Sequence, residues 1–538
     1  MRRILHNGWL WAGGVVFVGL IFLPSIWVFA ATIGGALLGL GGEGAALAAP
    51  SGRVAGLIGR SVALGAGAMG VALLLGTATG FATTRVRFPG RRLLFALLVL
   101  PILIPGYTYA LAWVDWLAPG GVPPPIGTAA EARRSPVYSL GAAIVVLGLH
   151  LFPWVHVVAG AGFAATERRL DEAGRFALGG AARFARITLP LVAGVLAAAG
   201  LFVFVLGLKN QGVPELLRQR VFATEILIAY QLFLDERQAA LKGLAGLLVA
   251  LAALGLALWL ALRRRRIGIE GLSAPWRGEA GEGEGRSERG RAVAAAGLAL
   301  AVFGVAFVAP MFILVRAAGA WENYRIVLAS AQAQIVTGLA TAAAVATACV
   351  ALGFLLAEIV VRAKGFAAAL IVVAVFVLFA LPAPVLDIGL IRFWNRPGPL
   401  GAVYDSPAML VLGQTAAFLP IAVIGLWVAR RRIAPHLLEA AELAGLPWRT
   451  IAGRIVAPLL RGWFAALWAI VFVLALNDVE AAVLLAPPGG DTIAVRIMTL
   501  LHYAPDAQVA ALCVVQVALA ATVIGVVAAG MGMANSRS

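Results

Sequence analysis

Twelve times along this chain a stretch of roughly 20 or more residues passes with few or no charges, long enough to cross the hydrocarbon of a bilayer as a helix. No other feature narrows the possible folds so far. The stretches lie near residues 9–33, 54–81, 93–117, 137–163, 190–208, 240–262, 292–316, 334–361, 366–394, 407–429, 458–476 and 507–531. The expected fold is all-α and integral to the membrane, with about twelve transmembrane helices. Charged residues make up 12% of the chain, against about 25% in an average soluble domain. The first stretch follows an Arg pair and is too long for the core of a cleaved signal, so it is read as a span that stays. The 63 glycines let such helices pack closely where no hydrophobic force drives them together.

The net charge of +17 does not point to nucleic acid, because the basic residues sit between apolar runs rather than on a soluble face. They orient the spans instead. With the N-terminus in the cytoplasm, the loops holding Arg85–Arg92, Arg168–Arg186, Arg263–Arg266, Arg362–Lys364 and Arg430–Arg432 all fall on that side. Of the 42 Lys and Arg residues, 28 then lie with those loops or termini and 14 on the other face. Both termini are expected in the cytoplasm. Cys349 and Cys513 lie inside apolar runs and read as small buried hydrophobes.

Residues 263–291 form the one long polar, low-complexity stretch, and read as a solvated cytoplasmic linker. It divides the chain into a half of six spans at 1–262 and another at 292–538. Six is even, so the halves share an orientation and a parallel repeat is possible. The repeat is visible: "LDEAGRFALGGAARFARITLPL" (170–191) matches "LEAAELAGLPWRTIAGRIVAPL" (438–459) without gaps at an offset of 268. Asp171 pairs with Glu439, Ala173 with Ala441, Arg186 with Arg454, Ile187 with Ile455 and Pro190 with Pro458. Both segments lie in the cytoplasmic loop between the fourth and fifth spans of their half, at 166–190 and 433–458.

In the second copy Pro435 suits the first turn of a helix and Glu439 sits near its positive end. Ala440, Ala441 and Ala444 give a narrow face. Gly445 followed by Pro447 is a stop signal, expected to have a backbone angle that suits glycine. A second short helix leads to Pro458 at the mouth of the next span. One such helix alone could lie on lipid. Two at equivalent positions, with carboxylates beside alanines, suit a protein socket better.

These segments resemble the coupling-loop motif of ABC importer permeases: Glu-Ala-Ala, a Gly four residues after the second Ala, then Ile-x-Leu-Pro. The second copy supplies Glu439, Ala440, Ala441, Gly445, Ile455 and Pro458, with Ala457 in place of Leu. The first supplies Asp171, Ala173, Ile187, Leu189 and Pro190. It departs at Glu172 and Ala177, so its docking is expected to be the weaker. Two copies in one chain look like a fused permease of the iron(III) type, to which thiamine, phosphonate and polyamine permeases are similar. "VRFPGRRLL" (86–94), "LPILIPGYTYALAW" (100–113) and "LLAPPGGDTIAVRIMTLLHY" (484–503) are similar to that family too. The resemblance implies a type I importer permease of the bacterial inner membrane, surrounded by lipid. Each island would seat in a cytoplasmic ABC ATPase subunit, two copies in all, and a periplasmic solute-binding protein would deliver the solute. The ATPase, not this chain, would bind ATP and magnesium. The permease would alternate its access between the two faces of the membrane.

No phosphate-binding Gly-x-x-x-x-Gly-Lys-Ser/Thr precedes any of Lys209, Lys242 or Lys364, so this chain is not expected to hydrolyse ATP. The five histidines show no metal-ligand cluster; His150 and His156 read as packed or interfacial. No nucleophile and base stand together as in an enzyme. A twelve-span secondary transporter is the alternative. "TTRVRFPGRR" is similar to the basic loop of such carriers but lacks the Asp of their pattern, and they have no paired coupling motif.

For the solute path, ionisable residues at or within spans are the candidates. The repeat offset pairs Asn477 and Asp478 with Lys209 and Asn210, and Glu480 lies one step further on. Asp387 follows the Pro382–Ala–Pro384 break in the ninth span. Two readings stay open: caps on helix ends in water, or a polar gate at the outer mouth that favours a cationic or metal-bearing solute.

Overall fold

The computed structural model describes residues 8–37, 52–118, 136–165, 180–231, 236–263, 286–362 and 366–536, and every regular element among them is a helix. Among the described residues nine helices are long and apolar enough to cross a membrane, or eleven if each of two bent pairs is one span. With the shorter apolar helix Lys242–Leu256, each of the twelve apolar stretches has its counterpart. The chain is an all-α, multi-pass membrane protein. The linker core, 264–285, lies outside the described residues.

The bent pairs stand at matching places. Arg91–Leu103 and Gly106–Leu117 meet at 91°, and Ala368–Ala380 and Ala383–Trp394 at 113°. Each is the third span of its half, broken at a proline. A proline's ring pushes the residue before it out of the α region, and Ile104, before Pro105, has ψ 121. Pro105 and Pro382 then take ψ 145 and 135 as each second limb begins.

Proline shapes four more helices. Phe17–Phe22, Phe184–Thr188, Gly304–Val308 and Ala452–Val456 are single π turns. Pro24, Pro190, Pro310 and Pro458 each follow two residues after one of them. A proline inside a helix offers no N–H to the carbonyl four residues back and crowds it; a widened turn relieves both problems. The carbonyl four residues before Pro310 is that of Ala306, and the Tyr109 hydroxyl donates to it at 2.9 Å. The second and fourth π turns are separated by 268 residues, the offset of the sequence repeat. The repeat is thus one of backbone as well as of letters.

By contact the chain divides into two compact units that cut across chain order. One takes in Met1–Pro50, Glu225–Leu247 and Ala317–Ser538; the other takes in Ser51–Thr224 and Leu248–Arg316. In the first, Gln332–Arg362 packs along Pro407–Arg430 and Ala457–Leu476. Ala357, Leu426 and Leu467 form a buried cluster there, flanked by Phe354, Trp427 and Phe464. The N-terminal Leu23–Leu37 packs on Ala383–Trp394 in this unit. The approach is close enough that a Cβ at Gly389 would stand 2.5 Å from the Ser25 carbonyl oxygen. In the second unit Gly52–Arg85 lies against Leu140–Ala165 and Leu189–Lys209, and Arg286–Phe303 packs on the same helix.

Candidate functional site

The second polar island folds as two short helices, Pro435–Leu443 and Trp448–Ile451, between the spans Pro407–Arg430 and Ala457–Leu476. Pro435 occupies the first turn, where a missing N–H costs nothing. The helix ends in a Schellman turn. The Leu446 amide donates to the Ala441 carbonyl at 3.2 Å, and the Gly445 amide to that of Glu442 at 3.0 Å. Gly445 has φ 74, the left-handed value its sequence context calls for. Nothing lies within 4 Å of where its Cβ would be. The constraint is therefore the backbone alone, and a side chain there costs roughly 1–2 kcal/mol.

The first of these helices turns its apolar residues outward. Ala441 is its buried residue, while Glu439, Ala440 and Gly445 are exposed. Leu443 is 90% exposed, and Leu437 and Leu446 stand out beside it. Ile455 is half-buried and Pro458 exposed where the π turn runs into the next span. A helix whose leucines face away from its own chain presents a surface for something else.

On its inner side the island is tied to two spans. Glu358, near the end of Gln332–Arg362, is fully buried, and so nearly is Arg430 at the end of Pro407–Arg430. Arg430 Nε donates to Glu358 Oε1 at 2.5 Å. Arg362 Nε lies 3.5 Å from Glu358 Oε2, and another of its nitrogens meets Glu442 Oε1, on the surface helix, at 3.3 Å. The Arg362 guanidinium also stacks on buried Trp448, its Cζ 3.3 Å from the ring centroid; Arg430 is 5.9 Å from the same ring. Removing one member of a buried pair strands the other charge, at a cost of about 3–5 kcal/mol. The sequence reading missed this cluster. The signal was present: Glu358 is the single acid of its span, four residues before Arg362.

The first copy of the island is only partly described. Asp171, Glu172, Ala173 and Ala177 lie outside the described residues. Ile187 falls in the π turn Phe184–Thr188 and is half-buried; Pro190 is exposed just beyond it. Phe81 stands four residues before Arg85, the last of its helix, as Glu358 stands before Arg362. Phe81 meets Phe163 and Phe184 edge-on at 5.3 and 5.1 Å. An aromatic side chain thus stands in the first half where Glu358 stands in the second.

The solute-path candidates divide. Asp478 Oδ1 accepts from the amides of Glu480 and Ala481, at 3.1 and 3.4 Å, and caps Glu480–Leu485. Asn210 Oδ1 accepts from the Val213 amide at 3.0 Å and caps Gly212–Leu216. The paired residues thus perform the same local task. Asn477 accepts from Gln516 Nε2 at 3.2 Å, which also donates to the Leu476 carbonyl at 3.0 Å. Glu480 is half-buried at the start of its helix. Asp387 is 1% exposed, just past the break in its span, and a Cβ at Gly413 would lie 3.3 Å from its Oδ1. Buried Gln414, unread in the sequence, donates to the Ala475 carbonyl at 3.1 Å. His156 is packed, bridging Thr79 at 2.8 Å and the Phe95 carbonyl at 3.2 Å. Among the described residues no three His, Cys, Asp or Glu side chains converge as metal ligands would.

Among the described residues nine to eleven membrane-length helices, with a surface helix anchored to two of them, make this a multi-pass membrane protein. The chain is 29% identical over 242 residues to the molybdenum transport system permease protein of Mycobacterium tuberculosis, and to the same degree to that of Mycobacterium bovis. Each match covers 42% of this chain and 90% of the relative. The chain is thus similar to permease subunits of a transport system. No family model matches it.

Proposed function

We propose that this chain is the fused, two-half permease of an ATP-driven ABC importer, carrying a small solute inward across a bacterial inner membrane. The observation that carries the proposal is the outward-facing leucine surface of Pro435–Leu443, closed by the Schellman turn at Gly445. It belongs to a segment that occurs twice in the chain. A separate ATPase subunit is the occupant this surface suits, and it supplies the ATP and magnesium chemistry. The relatives add support: a permease matched over 90% of its length by 42% of this chain is what a chain with two permease halves would give. Being similar to a transport-system permease, and carrying paired coupling motifs, it fits an importer better than a secondary transporter. A binding protein at the outer face completes the system.

The solute is a small inorganic ion on this reading. The sequence motifs resemble iron(III) permeases, and the relatives are named for molybdenum transport. Asp478 spends one carboxylate oxygen on a cap, which weakens the case for a carboxylate gate and a cationic solute. Purification of tagged chain from its native membranes tests the function. An ATPase subunit is expected to co-purify, and Leu443→Asp is expected to lose it while the chain stays helical. Uptake of iron(III) against molybdate by the loaded complex then separates the two ions. If no ATPase accompanies the unaltered chain, the proposal fails.

A further inference from the structure

We propose that Arg362, Glu358 and Arg430 are positioning residues that make the surface helix Pro435–Leu443 move as one body with the spans Gln332–Arg362 and Pro407–Arg430. The inference rests on the permease reading for its consequence in transport, but on geometry for the tie itself.

Charge balance is the first argument. Glu358 lies between two guanidiniums, with Arg430 at 2.5 Å and Arg362 at 3.5 Å. One carboxylate cannot neutralise both. The second negative charge comes from Glu442, 3.3 Å from Arg362 and carried on the surface helix. The cluster is neutral only while that helix is seated. Lifting the helix away leaves an extra positive charge beside a fully buried pair, which is costly in a low-dielectric setting.

Grip is the second argument. The Arg362 side chain holds both pieces of the island, pairing with Glu442 in Pro435–Leu443 and stacking on Trp448 in Trp448–Ile451. A guanidinium's planar fork suits simultaneous pairing and stacking in a way an ammonium does not. The covalent connection to Pro407–Arg430 is irregular: residues 431–434 leading into the island are turn and bend, while Trp448–Leu476 leads out of it as one helix widened at Ala452–Val456. A push on the surface helix therefore reaches the two spans through side chains more directly than through the backbone.

The matching place in the other unit carries Phe81, Phe163 and Phe184 instead.

The test uses the full chain in lipid nanodiscs and, separately, its complex with the ATPase. Arg362→Gln acts on a side chain still 23% exposed and is expected to fold; Arg362→Lys is the conservative variant; Glu358→Gln acts on the buried pair. Hydrogen exchange is read by mass spectrometry on peptides spanning 435–451, with peptides from 410–425 as the internal reference. Arg362→Gln is expected to speed exchange at 435–451 by about tenfold and leave the reference unchanged, with Arg362→Lys in between. In the complex, Arg362→Gln is expected to keep ATP hydrolysis but lower solute moved per ATP by about fivefold or more. A merely structural role would lower both together. Unchanged exchange in both Arg362→Gln and Glu358→Gln overturns the tie, as does a wild-type ratio of solute to ATP in both. If no ATPase binds the unaltered chain, the permease reading fails and the exchange measurement alone decides the tie.

Discussion

Asp478 illustrates how little a residue's type says about its task. The sequence placed it with Asn477 and Glu480 as a polar group at the end of an apolar run. Whether it caps a helix or faces a passing ion depends on where two backbone amides point, and only the fold fixes that. Asp478→Asn keeps the accepting oxygen and removes the charge, so uptake near the unaltered rate is expected from the capping geometry. Asp478→Ala removes the cap, with a loss of about 1 kcal/mol in stability. A thermal melt beside an uptake assay separates the two. Gly445 was more legible, because a glycine followed two residues on by proline predicts a left-handed stop on local grounds. Gly445→Asn, which tolerates that conformation, is expected to retain most uptake. Gly445→Asp sets a charge on the docking face and is expected to abolish it, with the chain still inserted. Full uptake by Gly445→Asp would remove the docking assignment. The Glu358 cluster was not legible in the same way: its partners come from three elements, and no spacing along the chain announces that.

At the scale of elements, the sequence placed the spans well and their internal breaks less well. Apolar length is a strong signal, so twelve stretches gave twelve helices or bent pairs. Pro382 and Pro384 pointed to the break in one third span; the matching break at Pro105 went unread although Pro101 and Gly106 stand beside it. The π turns were invisible, since no letter counts the residues in a turn. Pro190 and Pro458 marked their sites all the same, each lying two residues past one. Pro458→Ala restores the amide that the Arg454 carbonyl would otherwise accept in a regular helix. The turn is expected to tighten toward α, rotating the island about its span by up to about 100° per residue gained. Slower hydrogen exchange at 452–456 with reduced uptake is the expected result; unaltered exchange would show that the proline does not hold the turn open.

At the scale of the whole molecule, helix number and order were legible but helix partnership was not. Nothing in the sequence indicates that Leu23–Leu37 packs on Ala383–Trp394, several hundred residues away, because small apolar faces fit many partners. That contact has a consequence. Residues 292–538 expressed alone lack the N-terminal segment of their unit and are expected to be degraded in the membrane. Co-expression of 1–262 as a separate chain is expected to rescue them, which makes the linker dispensable as a covalent bond. Stable accumulation of 292–538 alone would contradict the observed packing.

The central claim is that a separate ATPase drives this permease. The direct measurement is solute accumulation in proteoliposomes holding the chain, the co-purified ATPase and the binding protein, with ATP supplied on the ATPase side. The account predicts accumulation that needs ATP, survives a protonophore and disappears in Gly445→Asp. Accumulation that proceeds without ATP and collapses with the protonophore would contradict it and assign the chain to the secondary transporters.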